Sequence, residues 1–234
     1  MLPLNDDNPT ESAPVVTITF IAACCLVFLY QSALPPGPGE AFVYQYGAIP
    51  AVVFGRAVLP PEVMAIPAVS TVLTSMFLHG SWMHLIGNML YLWIFGNNIE
   101  DVMGHAKFVV FYVLCGVLAA LSHAWTDPTS TVPMVGASGA ISGVLGAYLL
   151  LFPHARVLLL APMVGMVTVP AGIVLGFWFV MQLLSGGASL GSQGGGVAFF
   201  AHIGGFIAGM GLIGFFKRPE VRFFTPARTR SWRY

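Results

Sequence analysis

A serine and a histidine stand inside two strongly apolar stretches of the sequence, where polar side chains are costly to bury. Ser138 belongs to the run Gly136-Ala137-Ser138-Gly139, and His202 belongs to a later Ala-His-Ile-Gly-Gly run. Polar groups in membrane-compatible segments are candidates for function by default. Because a serine hydroxyl becomes a strong nucleophile when a base takes its proton, and a neutral imidazole suits that task, the two residues predict a Ser–His catalytic dyad.

Two further polar residues lie at helical spacing near the start of another apolar stretch. Ser81 is a good N-cap, and it places His84 and Asn88 four residues apart on one face of the helix that follows. Their side chains can donate hydrogen bonds to the oxyanion that forms when a hydroxyl attacks a carbonyl, together with the backbone N–H of Ser138. The accessory candidates next to these groups are His79, Gly136 and Gly139.

The acidic residues exclude several other chemistries. None of the nine aspartates and glutamates falls inside an apolar stretch, so the sequence has neither the paired aspartates of an aspartyl protease nor the His-Glu-x-x-His motif of a zinc protease. The dyad is therefore expected to have no carboxylate as a third member. A transporter or metal carrier built on the histidines is a weaker alternative, because His79 and His84 do not share a helix face and no carboxylate or thiolate joins them. We expect no metal, no cofactor and no nucleic-acid partner.

The composition predicts an integral membrane protein. Of the 234 residues, 57% are hydrophobic and only 8% are charged, whereas soluble domains carry about 25% charged residues. A bilayer core about 30 Å thick needs about 20 apolar residues in a helix. Stretches of this kind predict an all-α polytopic membrane protein with a bundle of six transmembrane helices. The predicted spans are 15–34, 82–98, 106–126, 136–152, 166–184 and 198–216.

The basic residues predict the orientation of this bundle. With six spans, every lysine and arginine except Arg56 falls on one side, which the positive-inside rule assigns to the cytoplasm. Ser138 and His202 then lie about one helical turn below the outer surface, and they can meet if their helices pack together. We expect a multi-pass protein of the bacterial inner membrane, with both termini in the cytoplasm and an active site that opens to the outer side. The resulting domains are an acidic N-terminal tail over 1–14, a membrane domain over 15–216 and a basic C-terminal tail over 217–234.

Small residues predict that the helices carrying the dyad approach closely. Gly139 and Gly143 in the predicted fourth span, and Gly205 and Gly209 in the sixth, follow the small-xxx-small spacing of close helix contacts in membranes.

Three further segments have compositions that differ from those of the clear spans. The segment 157–168 is apolar but interrupted by Pro162, and we interpret it as a membrane-dipping connector. The Pro- and Gly-rich segment 35–70 is expected to pack at the membrane surface. The uncharged, glycine-rich segment 185–197 is expected to be a flexible cap or a plain linker.

Three segments, in this order, resemble the rhomboid family of intramembrane serine proteases: 79–100, 136–146 and 201–205. The resemblance covers about 70–216 and implies a six-helix rhomboid fold. It also implies the partners. Family members cut single-span membrane proteins near the outer end of the substrate helix, so we expect such substrates, together with membrane lipid, as partners. Span five and the segment 185–197 resemble the family's mobile gate and cap. The resemblance implies these site residues: Ser138 as nucleophile, His202 as general base, His84 and Asn88 as oxyanion-stabilising groups, and His79 in a further role.

Two departures from the family pattern bear on the site. Some members carry a tyrosine that stacks on the histidine where this chain has Ser142, so either another residue orients His202 or the orientation of its ring is looser. The first loop also lacks the Trp-Arg pair of some members. The alternative function is a non-catalytic rhomboid-like protein that binds membrane clients, but such a protein needs neither Ser138 nor His202, and the presence of both favours the protease.

Overall fold

Apolar helices dominate the computed structural model, which describes residues 2–189 and 198–226. Among the described helices, four are long and apolar enough to cross a membrane by length and composition, namely α1, α7, α9 and α10. In chain order, the elements are β1 (Leu2–Asp6), α1 (Val15–Ala33), α2 (Pro36–Tyr46), α3 (Pro50–Val53), α4 (Ala68–Thr74), α5 (Trp82–Tyr91), α6 (Asn97–Met103), α7 (His105–Thr126), α8 (Ser138–Leu151), β2 (Arg156–Ala161), β3 (Gly165–Pro170), α9 (Ala171–Ser189) and α10 (Phe199–Phe216).

The other two predicted spans do not form single long helices. A π-helical turn over Leu92–Gly96 joins α5 to α6, so a continuous helical stretch runs from Trp82 to Met103, beyond the predicted end at residue 98. Helix α8 has 14 residues, a length of about 21 Å, which is shorter than the bilayer core.

Helix α8 is the centre of the bundle. It is buried along most of its length and packs against α7 and α10. A Cβ atom at Gly205 would collide with the carbonyl oxygen of Gly139, and one at Gly209 would collide with the carbonyl oxygen of Gly143. The close approach of these two helices, which the glycine spacing predicted, therefore depends on the missing side chains.

The connection between α8 and α9 is a β-hairpin, which corrects the predicted start of the fifth span. Strands β2 and β3 pair antiparallel, and β1 pairs antiparallel with the free side of β2, in the order β1-β2-β3. The predicted fifth span was placed too early, because residues 166–170 lie in β3 and the helix begins at Ala171. A short continuous apolar run such as 157–161 suits a buried strand as well as part of an apolar helix, and only the pairing decides between them.

A buried carboxylate fixes the start of α1. Both carboxylate oxygens of Glu100 accept 2.8 Å hydrogen bonds, from the backbone N–H groups of Val16 and Thr17. These N–H groups have no acceptor within their own helix. The Nδ1 atom of His105 lies 2.6 Å from the same carboxylate, so Glu100 ties α1 to the junction between α6 and α7.

Two of the predicted connectors contain regular structure. The segment 35–70 includes α2 and α3, and part of it pairs with the segment before α8 through a bridge between Ala48 and Met134. The first part of the predicted cap, 185–189, continues α9. The rest of it, 190–197, lies outside the described residues.

Candidate active site

The structure brings Ser138 and His202 into direct contact. Ser138 is the first residue of α8, and His202 lies in the first turn of α10, at the same end of the bundle. The Oγ atom of Ser138 is 2.8 Å from the Nε2 atom of His202. This distance allows the hydroxyl to donate a hydrogen bond to the imidazole, which is the geometry that general-base activation requires.

The other face of the pair is formed by α9, the predicted gate helix, in which the sequence indicated no site residue. The Oε1 atom of Gln182 lies 2.8 Å from the Nδ1 atom of His202. The Trp178 ring, one turn earlier, lies beside the imidazole with 5.9 Å between ring centroids and an interplanar angle of 35°. A lone glutamine in an apolar helix was the available signal, since polar groups there rarely lack a partner. Ser142, which replaces the family's tyrosine, instead donates a 2.6 Å hydrogen bond to the carbonyl oxygen of Ser138.

His84 and Asn88 lie beside the segment that leads into α8. A Cβ atom at Gly136 would lie 2.7 Å from the Nε2 atom of His84 and 3.7 Å from the Nδ2 atom of Asn88. Gly136 has a positive φ of 125°, and its N–H donates a 2.9 Å hydrogen bond to the carbonyl oxygen of Ser75. The lack of a side chain at Gly136 therefore allows the chain to pass close to both polar groups.

The side-chain amide of Asn88 is a buried hydrogen-bond donor without an acceptor among the described residues. Its side chain is 8% exposed, and its Nδ2 atom has no hydrogen-bond partner among the described residues. An unpaired buried donor costs about 1–3 kcal/mol, so native structures seldom keep one without a reason. An oxyanion formed at Ser138 would supply an acceptor.

A small cavity adjoins Ser138. Its volume is about 40 Å³, and Gly136 and Ser138 are among the residues that line it. One water molecule needs about 10–15 Å³ of such space, together with polar partners. The cavity is therefore large enough for the water that hydrolysis consumes.

His79, the accessory histidine candidate, lies next to His84. Its side chain is fully buried, and its ring centroid is 5.1 Å from that of His84. Burial, and then the proximity of His84, lowers the pKa of His79 to about 4, so this ring is neutral at physiological pH. His79 therefore packs against His84 rather than against Ser138.

No metal cluster accompanies the dyad. Within 2–189 and 198–226, no group of three or more histidine, cysteine, aspartate or glutamate side chains is arranged to hold a metal ion.

Comparison with known proteins agrees with this architecture. A family model described as "Rhomboid domain" matches residues 67–219 of the chain. "Rhomboid protein 1, mitochondrial" of Saccharomyces cerevisiae is 32% identical over 144 residues, which are 60% of this chain and 40% of that protein. "Presenilin-associated rhomboid-like protein, mitochondrial" of Bos taurus is 31% identical over 174 residues, or 69% of this chain and 44% of that protein. "Rhomboid protease GluP" of Bacillus subtilis is 33% identical over 129 residues, or 55% of this chain and 24% of that protein.

The chain spans less than half the length of these relatives in each alignment. The relatives include mitochondrial and bacterial proteins, so they give no support to the expectation of a bacterial inner membrane.

Proposed function

The chain belongs to the rhomboid family, and on that premise we propose that it is an intramembrane serine endopeptidase that cuts single-span membrane proteins. The observation that carries the proposal is the 2.8 Å contact between Ser138 Oγ and His202 Nε2, at one end of a membrane-embedded helical bundle. A protein that only bound membrane clients would not require this contact.

Ser138 acts as the nucleophile and His202 as the general base. The Oγ atom attacks the carbonyl carbon of the scissile peptide bond while its proton passes to Nε2 of His202. The imidazolium then gives this proton to the leaving amine, and an acyl-enzyme ester remains on Ser138. Water attacks the ester, again with His202 as base, and release of the carboxylic acid restores the hydroxyl.

The oxyanion of each tetrahedral intermediate is stabilised by three donors. The backbone N–H of Ser138 is in the first turn of α8, where N–H groups have no intrahelical acceptor. The Nδ2 atom of Asn88 is buried without a partner among the described residues, and the Nε2 atom of His84 points towards Gly136. The positive end of the α8 dipole favours the same negative charge.

Gln182 is the positioning residue for the base. A neutral imidazole carries one proton, and a hydrogen bond from Nδ1–H to Oε1 of Gln182 leaves Nε2 free to accept from Ser138. Trp178 restricts rotation of the ring, which is the task of the stacking tyrosine in other family members.

The membrane arrangement is part of the proposal. The helical stretch from Trp82 to Met103 and the short helix α8 complete a six-span bundle with the four long helices. The distribution of basic residues supports an arrangement in which α1 begins and α10 ends on the inner side, while Ser138 lies near the outer surface. The basic segment 217–234 is then an inner-side flank of a membrane domain over 15–216, whereas β1 within the segment 1–14 lies against α5, and a single-span substrate meets the dyad near the outer end of its helix.

The deciding experiment uses purified protein in detergent and in proteoliposomes with a fluorescent single-span reporter. We expect the wild type to cleave the reporter, Ser138→Ala to have no activity, and Ser32→Ala, which changes an exposed serine on α1, to retain it. A fluorophosphonate probe should label the wild type but neither Ser138→Ala nor His202→Ala. Reporter binding without cleavage by the wild type would favour the client-binding alternative, and cleavage by Ser138→Ala would overturn the mechanism.

A further inference from the structure

The hairpin between α8 and α9 has an unusual composition for a connection at a membrane surface. From Val157 to Phe216, the sequence contains no lysine, arginine, aspartate or glutamate. Interfacial loops usually carry charged residues, because water and headgroups surround them. A hairpin in this position whose one charged residue is Arg156, at its base, needs another explanation.

The sheet carries apolar side chains on both faces, and among the described residues only the inner face is covered by protein. Val157 and Leu159 are buried on the inner face. On the opposite face, the register places Leu2, Leu160 and Met166 side by side across the three strands. We call the following set the outer sheet face: Leu2, Leu160 and Met166, which are 43%, 45% and 69% exposed, and the turn residues Met163 and Val164, which are fully and 72% exposed.

The sheet lies along the side of the helical bundle and not beyond the end where α6 finishes. Ser12 donates its backbone N–H to Asp101 near the end of α6, and the carbonyl oxygen of Asn8 accepts from the Asn98 side chain. Further back along the chain, β1 packs against the π-helical turn and the end of α5. The N-terminal segment therefore follows the helical stretch from its end back to Tyr91, a rise of about 15 Å.

The hairpin runs in the same direction as the N-terminal segment, from the end of α6 towards α5. Its base is held at the lower level, where Asp7 accepts a 2.7 Å hydrogen bond from the N–H of Arg156. Leu160, near the tip, pairs with Leu2, which is the upper end of β1. The tip at Met163 therefore points from the level of α6 back along the helical stretch, towards the middle of the bundle.

The backbone of the hairpin is compatible with such a position. Strand β2 is central, so both of its edges are hydrogen-bonded. In the turn, Pro162 has no N–H, and the N–H of Val164 donates to the carbonyl oxygen of Ala161. β1 faces the helical stretch, and β3 leads directly into α9, against which it packs. These contacts reduce the unpaired groups that hydrocarbon would penalise.

We propose that the outer sheet face is a lipid contact surface, and that the hairpin is a re-entrant element whose tip lies among phospholipid acyl chains of the leaflet opposite Ser138. The occupant is the bilayer itself, because β3 leads directly into α9, where the apolar side chains of Ile173 and Phe177 are each 63% exposed. The proposal is independent of the proteolytic mechanism and rests on membrane insertion alone.

The test measures how spin labels on the hairpin collide with oxygen, which partitions into lipid, and with a water-soluble nickel chelate. The three native cysteines, Cys24, Cys25 and Cys115, are first replaced by alanine. Single cysteines are then introduced as Met163→Cys or Met166→Cys, and the protein is reconstituted in phosphatidylcholine vesicles. Leu118→Cys, on an exposed site of α7, is the lipid control, and Glu220→Cys, exposed beyond α10, is the aqueous control.

We expect both hairpin labels to match the Leu118 label, with frequent oxygen collisions and a loss of nickel collisions relative to the Glu220 label. Nickel accessibility like that of Glu220 would place the hairpin in water and overturn the proposal. Inaccessibility to both reagents, or dipolar broadening between labels, would show that protein or a second copy covers the face, and it would also overturn it. These readings do not depend on cleavage, so they stand apart from the test of the protease.

Discussion

Gln182 Oε1 and Ser138 Oγ contact the two different nitrogens of the same imidazole, each at 2.8 Å. The acceptor on one side and the hydroxyl on the other specify a single neutral tautomer, with the proton on Nδ1. The site thus has a third polar member without a carboxylate. Its position on α9 makes the orientation of the base depend on how this helix packs against α10.

Replacing Gln182 is therefore expected to slow the chemical step. In Gln182→Ala, the imidazole loses its fixed tautomer, and kcat should fall by about 10-fold or more, which is part of the roughly 10²–10⁴-fold that a general base contributes. The KM should change little, because Gln182 does not contact the substrate in our proposal. Reporter cleavage in proteoliposomes provides both constants.

Gln182→Glu tests whether the hydrogen-bond acceptor, and not the size of the side chain, is what matters at this position. It keeps the acceptor, so it should recover much of the activity, and its negative charge should shift the pH–rate profile upwards by favouring the imidazolium. Met181→Ala, at an exposed neighbour on α9, is the control. Equal losses in the alanine and glutamate variants would mean that Gln182 serves only packing.

The unpaired amide of Asn88 leads to a second prediction. Because our proposal has this donor used only when the oxyanion forms, Asn88→Ala should lower kcat by about 10²–10³-fold and leave KM nearly unchanged. The alanine variant also removes a buried unpaired group, so its thermal unfolding midpoint should not fall below that of the wild type. Met83→Ala, on the exposed side of the same helix, should leave kcat and KM unchanged. A change confined to KM would assign Asn88 to substrate binding.

Gly136 gives a third prediction, because both its backbone and its surroundings exclude a side chain. Its φ of 125° is strained for any residue with a Cβ, and that Cβ would meet the His84 ring at 2.7 Å. Gly136→Ala should therefore displace His84 and reduce cleavage strongly while fluorophosphonate labelling of Ser138 is weakened less. Gly87→Ala is the matched control, since a Cβ there meets nothing within 4 Å. Unchanged turnover in Gly136→Ala would show that His84 can move without consequence.

The residues of the dyad could be predicted from the sequence, but their surroundings could not. Ser138 and His202 stand out because polar side chains are rare in apolar stretches, and the glycines beside them predict close helix contact. Gln182 is equally rare in its helix, yet its partner depends on the rotation of α9, which a uniformly apolar helix does not reveal. The strand β1 was missed for a different reason: Leu2–Asp6 has no clear pattern of its own and becomes a strand only by pairing with β2.

That pairing buries an acidic side chain and yields a fourth prediction, on pH. Asp6 is 8% exposed, and its carboxylate lies 2.5 Å from the Tyr148 hydroxyl of α8. Burial, which outweighs the opposing effect of the Tyr148 hydrogen bond and is reinforced by Asp7, raises the pKa of Asp6 from its ordinary value of 3.8 to about 7. The folded protein thus binds a proton that the unfolded chain releases at lower pH. Asp6 therefore costs no stability below the unfolded pKa, and its penalty grows as pH rises towards 7, to at most about 4 kcal/mol.

Asp6→Asn removes this titration but keeps a polar group next to Tyr148. We expect the variant to gain thermal stability relative to the wild type at about pH 8, and to lose most of that advantage at about pH 5. Glu40→Gln, which removes an exposed carboxylate of α2, controls for the change in net charge. Unfolding midpoints followed by tryptophan fluorescence in detergent give the comparison. A stability difference between Asp6→Asn and the wild type that stays constant over this pH range would mean that Asp6 is ionised in the folded protein, held by hydrogen bonds that outweigh its burial.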